Sequence, residues 1–302
     1  MYIKFFDVAW NDELQSVQPV AKLDFDSVAV QQLLQQKIQL VPAVFITNES
    51  LLKIDSAASI GLAQKIIKLA CEMIQKQQLP PAVEFQLDCD WTVSTKKNYF
   101  LLVKEVKLLM HADHLSFSDS ALLSATIRLH QVKYRSKSGI PEVDKGLLMC
   151  YNMGNLKNPA TKNSILDTEE LKKYLSVLNS YPLPLDIALP IFSWNVYFSD
   201  NTYKGIISNI SKDELTIAAG QWKNNLFTFS KDTVLKNIPF QKNDQLRLEE
   251  STQDELLKTA NYIAEKLSSK NKTPAVLFYH LDELILNKHP QHELETLFHC
   301  FD

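Results

Sequence analysis

The 302 residues are 45% hydrophobic and 22% charged, with a formal net charge of −3. A chain this long buries about three quarters of its unfolded surface and needs no disulfide or metal staple. Its mild acidity gives no basic footprint for nucleic acid, and no run reaches the ~18 apolar residues of a membrane-spanning helix. Only six residues are glycine. Neither GxGxxG nor GxxxxGK(S/T) occurs, which argues against a glycine-rich phosphate loop.

Eight runs read as strands: 2–10, 40–47, 82–91, 122–130, 145–153, 185–194, 245–250 and 274–282. Helical patterns lie between most of them. The first, 26–37, opens on Asp26-Ser27. The second, 55–78, begins at the capping signal Asp55-Ser56. It carries Ile60, Ala63, Ile66, Ile67, Ala70 and Ile74 at helical spacing and stops at Pro80-Pro81. A third, 94–112, shows Tyr99, Leu102, Val103, Val106 and Leu109 on one face. Acidic first turns open 167–180, and Thr252-Gln253-Asp254-Glu255 is a capping box before 252–268. A last helix starts near Gln291. Strands and helices alternating over this length predict a (β/α)₈ TIM barrel, whose usual size is ~250 residues plus insertions. A doubly wound sheet is the alternative, but its glycine-rich first turn is missing. The reading is one domain over 1–302. The stretch 195–244 is too long for a structureless connection and holds short β runs, so it is taken as a β-rich insertion between strands six and seven.

Cys71, Cys89, Cys150 and Cys300 form neither a CxxC pair nor a Cys/His zinc pattern. The first three lie in apolar periodic segments and are expected as free buried thiols. No metal and no cofactor is expected. His111-x-x-His114 lacks the glutamate of a zinc protease, and no G-x-S-x-G elbow is present. No charged and apolar leader pattern opens the chain. Cytoplasmic residence and export to the periplasm or envelope with a removed signal both stay open.

Strand parity sorts the polar residues, because side chains alternate between faces. In strand three Val83, Phe85, Leu87, Cys89 and Trp91 face the helices, so Glu84, Gln86, Asp88, Asp90 and Thr92 point to the axis. In strand four Ser124, Thr126, Arg128 and His130 point inward, and in strand seven Arg247 and Glu249 do. Of 32 basic residues only three are arginine, and two of those, Arg128 and Arg247, fall on inward parity. Arginine suits a buried carboxylate because its fork pairs bidentately and stays charged. For Glu84, Gln86 and Arg247 a structural ion-pair lattice and a functional role stay equally open. Asp88, Asp90, His130, Tyr151 and Asp282 fall at C-terminal strand ends, where barrel active sites sit.

The segment Phe85-Gln86-Leu87-Asp88-Cys89-Asp90-Trp91-Thr92 resembles the D-x-x-D-x-D-x-E signature of family 18 glycoside hydrolases, the chitinase-like barrels. Asp88 and Asp90 match its last two aspartates. Met149-Cys150-Tyr151-Asn152 is similar to the family's M-x-Y-D, with asparagine at the last position. Ala188-Leu189-Pro190-Ile191-Phe192 is similar to G-L-P-x-Y, and Phe278-Tyr279-His280-Leu281-Asp282 to the closing strand. The opening Phe5-Phe6-Asp7-Val8 also resembles uncharacterised bacterial barrels related to the family. The resemblance implies a sugar site in which Asp90 orients the substrate acetamide and Tyr151 hydrogen-bonds the oxazolinium that forms. The family's general acid is the glutamate of that signature, and Thr92 stands there. Threonine donates no proton near neutral pH, so the family's mechanism is not expected.

Three functions remain open. A glycoside hydrolase would use another carboxylate pair: Asp88 or Asp90 with Glu249, Glu250 or Asp282. A carbohydrate-binding barrel would hold an oligosaccharide with Asp90, Arg128, His130, Tyr151, Asn152, His280 and Asp282, and with Trp194 as an aromatic platform. An inert scaffold would use none of these. Trp194 as a plug under the insertion is the structural alternative to the platform.

Overall fold

The computed structural model describes residues 1–267 and 273–302. Fifteen strands run through them: β1 (Tyr2–Asn11), β2 (Ser16–Val20), β3 (Val41–Ile46), β4 (Ala82–Cys89), β5 (Phe117–Arg128), β6 (Lys145–Met149), β7 (Leu185–Pro190), β8 (Ser193–Ser199), β9 (Thr202–Ile207), β10 (Gly220–Lys223), β11 (Leu226–Phe229), β12 (Thr233–Leu235), β13 (Ile238–Phe240), β14 (Gln245–Glu250) and β15 (Val276–Tyr279). An eight-stranded sheet has the order β15-β7-β6-β5-β4-β3-β1-β2. Its pairings β1–β3, β3–β4, β4–β5 and β7–β15 are parallel, and β2 folds back antiparallel on β1. With helices between most of its successive strands, this is a mixed α/β, TIM-barrel-like fold. The chain divides into two compact units, Met1–Leu148 with Tyr181–Asp186, and Met149–Ser180 with Ile187–Asp302.

In the first unit, the helix Ser56–Lys76 starts where the Asp55 side chain accepts from the Ala58 N–H at 2.7 Å. It buries Leu62, Ala63, Ile66, Ile67, Ala70 and Ile74, the apolar stripe of an amphipathic helix. The helix Lys96–Ala112 buries Tyr99, Leu102, Val103, Val106 and Met110. Phe85, Leu87 and Cys89 of β4 and Leu123, Ala125 and Ile127 of β5 are completely buried, as alternation requires. The hairpin strand β2 was not expected from the sequence. Its turn is closed by the Asn11 side chain, which accepts from the Leu14 N–H at 2.8 Å, and by Gln15 in the left-handed region.

The opposite faces of β4 and β5 are buried and polar: Glu84, Gln86, Ser124 and Thr126 are all at most 6% exposed. Glu84 accepts from Tyr2 Oη at 2.8 Å and from Ser124 Oγ at 2.6 Å. Lys145 Nζ lies 2.8 Å from Glu84 Oε2 and 2.6 Å from Asp186 Oδ2. Burial pulls the Lys145 ammonium down, but its hydrogen bonds to Asp186 and Glu84 outweigh that and hold it above its ordinary value. These deep residues form an ion-pair lattice.

In the second unit, β8, β9, β10, β11 and β14 form an antiparallel sheet of order β10-β11-β14-β8-β9. Its core is Ile210, Leu215, Phe227, Phe229, Phe240 and Leu246, and β12 pairs with β13 in a separate two-stranded sheet. The run 245–250 therefore lies in this sheet and not among the parallel strands, so Arg247 and Glu249 do not point to a barrel axis. Alternation marks a half-buried strand in any sheet and does not say which one. The helix Gln253–Lys266 is capped by Thr252; the expected end of this helix, residue 268, lies outside the described residues.

Cys71, Cys89 and Cys150 are buried free thiols and Cys300 is a half-buried one. Among the described residues no helix is long and apolar enough to cross a membrane.

Lys145→Met leaves two buried carboxylates without their cation. It is expected to cost about 3–5 kcal/mol, the usual loss on breaking a buried pair. Adding Glu84→Gln and Asp186→Asn to it should restore most of that loss in urea unfolding. A single Lys145→Met that unfolds like the wild type would show that the lattice carries no stability.

Candidate functional site

Each unit carries its own cluster of candidate residues at C-terminal strand ends. In the first unit, Asp88 is the last inward residue of β4. Its Oδ1 accepts from Thr126 Oγ1 at 2.6 Å. Burial pushes the Asp88 carboxyl above its ordinary value, against the opposing pulls of Thr126 and Arg128. Asp90, just past the strand, takes a bidentate pair from Arg128: Nη2 donates to Oδ2 at 2.8 Å and Nε to Oδ1. The side chains are 49% and 20% exposed, so this pair sits at the rim and not in the lattice. The geometry comes from the chain on either side. Trp91 turns into the core, 1% exposed, stacks on Tyr99 at 4.9 Å and donates to the Ser138 carbonyl at 2.9 Å. Gln131 Nε2 donates to the Trp91 carbonyl, while its Oε1 accepts from the Arg128 N–H.

Thr92 is exposed. Its N–H donates to Thr95 Oγ1 at 2.9 Å and its hydroxyl shares a 2.9 Å hydrogen bond with Ser94. The residue thus belongs to the turn that opens the helix Lys96–Ala112. His130 does not continue the strand: β5 ends at Arg128, and His130 lies exposed on the helical turn Leu129–Lys133.

In the second unit, aromatic rings gather at the ends of β6, β7 and β15. Tyr151, 5% exposed, stacks on Tyr279 with centroids 5.1 Å apart and planes 8° from parallel. Phe192 sets its edge against both rings, at 6.1 and 5.8 Å. It also meets Trp194 at 5.1 Å and His280 at 6.2 Å. Tyr279 is 48% exposed, so it keeps surface open to a ligand. Phe192 and Tyr279 were missing from the sequence-derived candidates. The available signal was the resemblance of the segments 188–192 and 278–282, which contain them, to the family's strand motifs.

Glu249 lies behind Trp194. Its Oε2 accepts from Trp194 Nε1 at 2.8 Å and from Ser164 Oγ, and its Oε1 from Arg247 Nε at 2.7 Å. Arg247 also donates to the carbonyls of Asn158 and Leu156 at 2.7 and 3.2 Å, and its guanidinium packs over Phe198. Both charges are almost completely buried. The pair pins the loop that follows Tyr151. In that loop the Asn152 N–H donates to the Ile165 carbonyl at 2.9 Å, with Asn152 in the left-handed region. Asp282 is exposed, and its Oδ1 accepts from the Ile285 N–H at 3.3 Å at the start of the short helix Glu283–Leu286. Asp88 and Asp90 thus belong to the first unit, and Glu249, Glu250 and Asp282 to the second. Among the described residues no three His, Cys, Asp or Glu side chains are grouped to hold a metal.

Two outcomes are expected. A raised carboxyl value means the folded state holds its proton more tightly than the unfolded chain. Stability from Asp88 is therefore greatest in acid and is lost as pH rises from the ordinary carboxylate value of about 3.9 through the folded one. Asp88→Asn has no charge to desolvate, so it should raise the melting temperature at neutral pH, and the gain should shrink in acid. An unchanged difference across pH would contradict this. Glu249→Ala strands a buried guanidinium, so a loss of about 3–5 kcal/mol is expected, with a shift in tryptophan emission as Trp194 loses its acceptor. Wild-type emission and stability in this variant would refute the pinning role.

No family model matches the sequence, and no curated protein sequence does. Solved structures do match in fold. The chitinase of Chromobacterium violaceum aligns over 95% of this chain and 88% of its own, at 11% identity and a TM-score of 0.60. The spore cortex-lytic enzyme of Bacillus cereus aligns over 99% and 67%, at 12% identity and 0.56. A family 18 N-acetylglucosaminidase of Paenibacillus barengoltzii aligns over 99% and 92%, at 13% identity and 0.52. At such identities the likeness is one of fold: this chain has a chitinase-like fold.

Proposed function

We propose that this protein is a carbohydrate-binding barrel for glycans built from N-acetylated sugars, without the general acid of the family 18 mechanism. The observation that carries the reading is the aromatic cluster Tyr151, Tyr279, Phe192 and Trp194 at the strand ends of the second unit. Sugar rings present apolar C–H faces that pack on aromatic rings, while their hydroxyls need hydrogen bonds. Tyr279 offers such a face, and Trp194 is held in one orientation by Glu249. Asn152, His280 and Asp282 supply polar groups from the same unit. The substrate class follows from the fold neighbours, which are a chitinase and an N-acetylglucosaminidase.

Turnover lacks a proton donor in this reading. Thr92 holds the acid position of the signature and its hydroxyl is engaged in a turn. Glu249 is buried and accepts from three side chains, which suits a positioning role better than acid–base work. Asp90, with Arg128, and Asp88, with Thr126, keep the polar end of the signature without its acid.

A glycan array run beside a panel of chromogenic glycosides tests this. Chitooligosaccharides are expected to bind and to survive uncleaved. Tyr279→Ala should weaken binding about tenfold, roughly 1.4 kcal/mol. Ordinary glycosidase rates in the wild type would overturn the missing-acid argument in favour of another carboxylate pair. No binding to any glycan would favour an inert scaffold.

A further inference from the structure

Phe192 is the hub of the aromatic cluster: its ring meets those of Tyr151, Trp194, Tyr279 and His280 at 6.1, 5.1, 5.8 and 6.2 Å. Yet it lies in no strand. β7 ends at Pro190 and β8 begins at Ser193, so Ile191 and Phe192 form the link between the two sheets. A link outside the ladders is placed by whatever satisfies its backbone groups. The Ile191 N–H donates to the Tyr279 carbonyl at 2.8 Å. Two further contacts come from the turn between the helices Glu283–Leu286 and Gln291–Phe298. There Lys288 Nζ donates to Ser193 Oγ at 3.3 Å, and the His289 ring hydrogen-bonds the Ile191 backbone. With the Ile191 N–H already given to Tyr279, the imidazole is the donor and the Ile191 carbonyl the acceptor.

The turn is itself held on both sides. The His289 N–H donates to the Leu286 carbonyl at 3.1 Å, and Gln253 Nε2 donates to the Glu293 carbonyl at 2.9 Å. From Leu286 to Pro290 every residue is exposed except His289, which is half-buried. We propose that His289 is a positioning residue for the aromatic cluster, setting Phe192 against Tyr151, Tyr279 and Trp194 through the Ile191 carbonyl. As a role in sugar binding it rests on the carbohydrate-binding reading above. The charged groups that face the ring are Lys288 on its own turn, Glu293 on the following helix and Glu250 at the end of β14. Burial outweighs the pulls of Ile191, Glu293 and Glu250 and holds the imidazole below its ordinary value, and Lys288 adds to the lowering. A folded state with a lowered value binds fewer protons than the unfolded chain. The packing that His289 supplies is therefore complete above about pH 6.5 and is lost as pH falls through the folded value. The cluster is ordered at neutral pH and loosened in mild acid.

Tryptophan emission of the full chain, followed from about pH 8 to about pH 5, tests this, since Trp194 packs on Phe192. A transition below about pH 6.5 is expected. It should vanish in His289→Gln and in Trp194→Phe, and persist in His280→Gln, which removes the other imidazole on Phe192. Chitooligosaccharide affinity at neutral pH should fall about fivefold in His289→Ala, the worth of one lost hydrogen bond. It should return in His289→Gln, whose amide donates to the same carbonyl without titrating. The proposal is overturned by a wild type with no transition, by a transition kept in His289→Gln or Trp194→Phe, or by one lost in His280→Gln. Unchanged affinity in His289→Ala, or a loss that His289→Gln does not restore, would overturn it too. A protein that binds no chitooligosaccharide at all would count against the carbohydrate reading, while the emission titration still decides the role of His289.

Discussion

A guanidinium and a carboxylate buried side by side set the strand register on which the second unit's aromatic cluster depends. Arg247 and Glu249 stand two residues apart on one face of β14, and the strand register sets Trp194 directly across from Glu249. A slip of one residue would turn both charges to the other face and leave them without their partners. The cost of an unpaired buried charge, several kcal/mol, therefore enforces the pairing of β14 with β8. It also fixes the loop after Tyr151, through Ser164 and through the carbonyls of Leu156 and Asn158. The order of the aromatic cluster is in this sense electrostatic in origin, although its members are apolar.

The first unit uses its charges differently along a single strand. Glu84, near the start of β4, accepts from Tyr2 and Ser124 and pairs with Lys145, out of reach of solvent. Asp90, just beyond the strand's end, has Arg128 and open surface. Alternation places both on the same face, and depth decides what each can do. A carboxylate saturated by fixed donors is part of the wall. One held at the rim by a single arginine has lone pairs within reach of a ligand.

Parity was legible in the sequence because apolar residues alternate without a break from Val83 to Trp91, and the burial of Phe85, Leu87 and Cys89 follows it. The long helices were legible for the same kind of reason, from caps and stripes. Sheet membership was not. The alternation Leu246, Leu248 against Arg247, Glu249 is that of any half-buried strand, and only long-range pairing with Val196 and Trp194 assigns it. His130 was read as a strand residue because nothing local marks the end of β5. The chain turns there because Gln131 bonds back to the Arg128 N–H and the Trp91 carbonyl. The Tyr151–Tyr279 stack joins residues 128 positions apart in sequence, beyond any local pattern.

The buried thiols have a consequence for how opening of each unit is observed. Cys71 and Cys89 lie in the first unit and Cys150 in the second. Burial raises the thiol values of Cys89 and Cys150 well above those of a free cysteine, so the reactive thiolate is scarce while the fold is closed. At Cys89 and Cys150 a thiol reagent then reacts only when the fold around that residue opens. Cys89 reports the surroundings of the Asp88–Thr126 pair, and Cys150 those of Tyr151. The chain thus carries its own clocks for local unfolding, and comparing the rates at Cys89 and Cys150 compares opening at these two places.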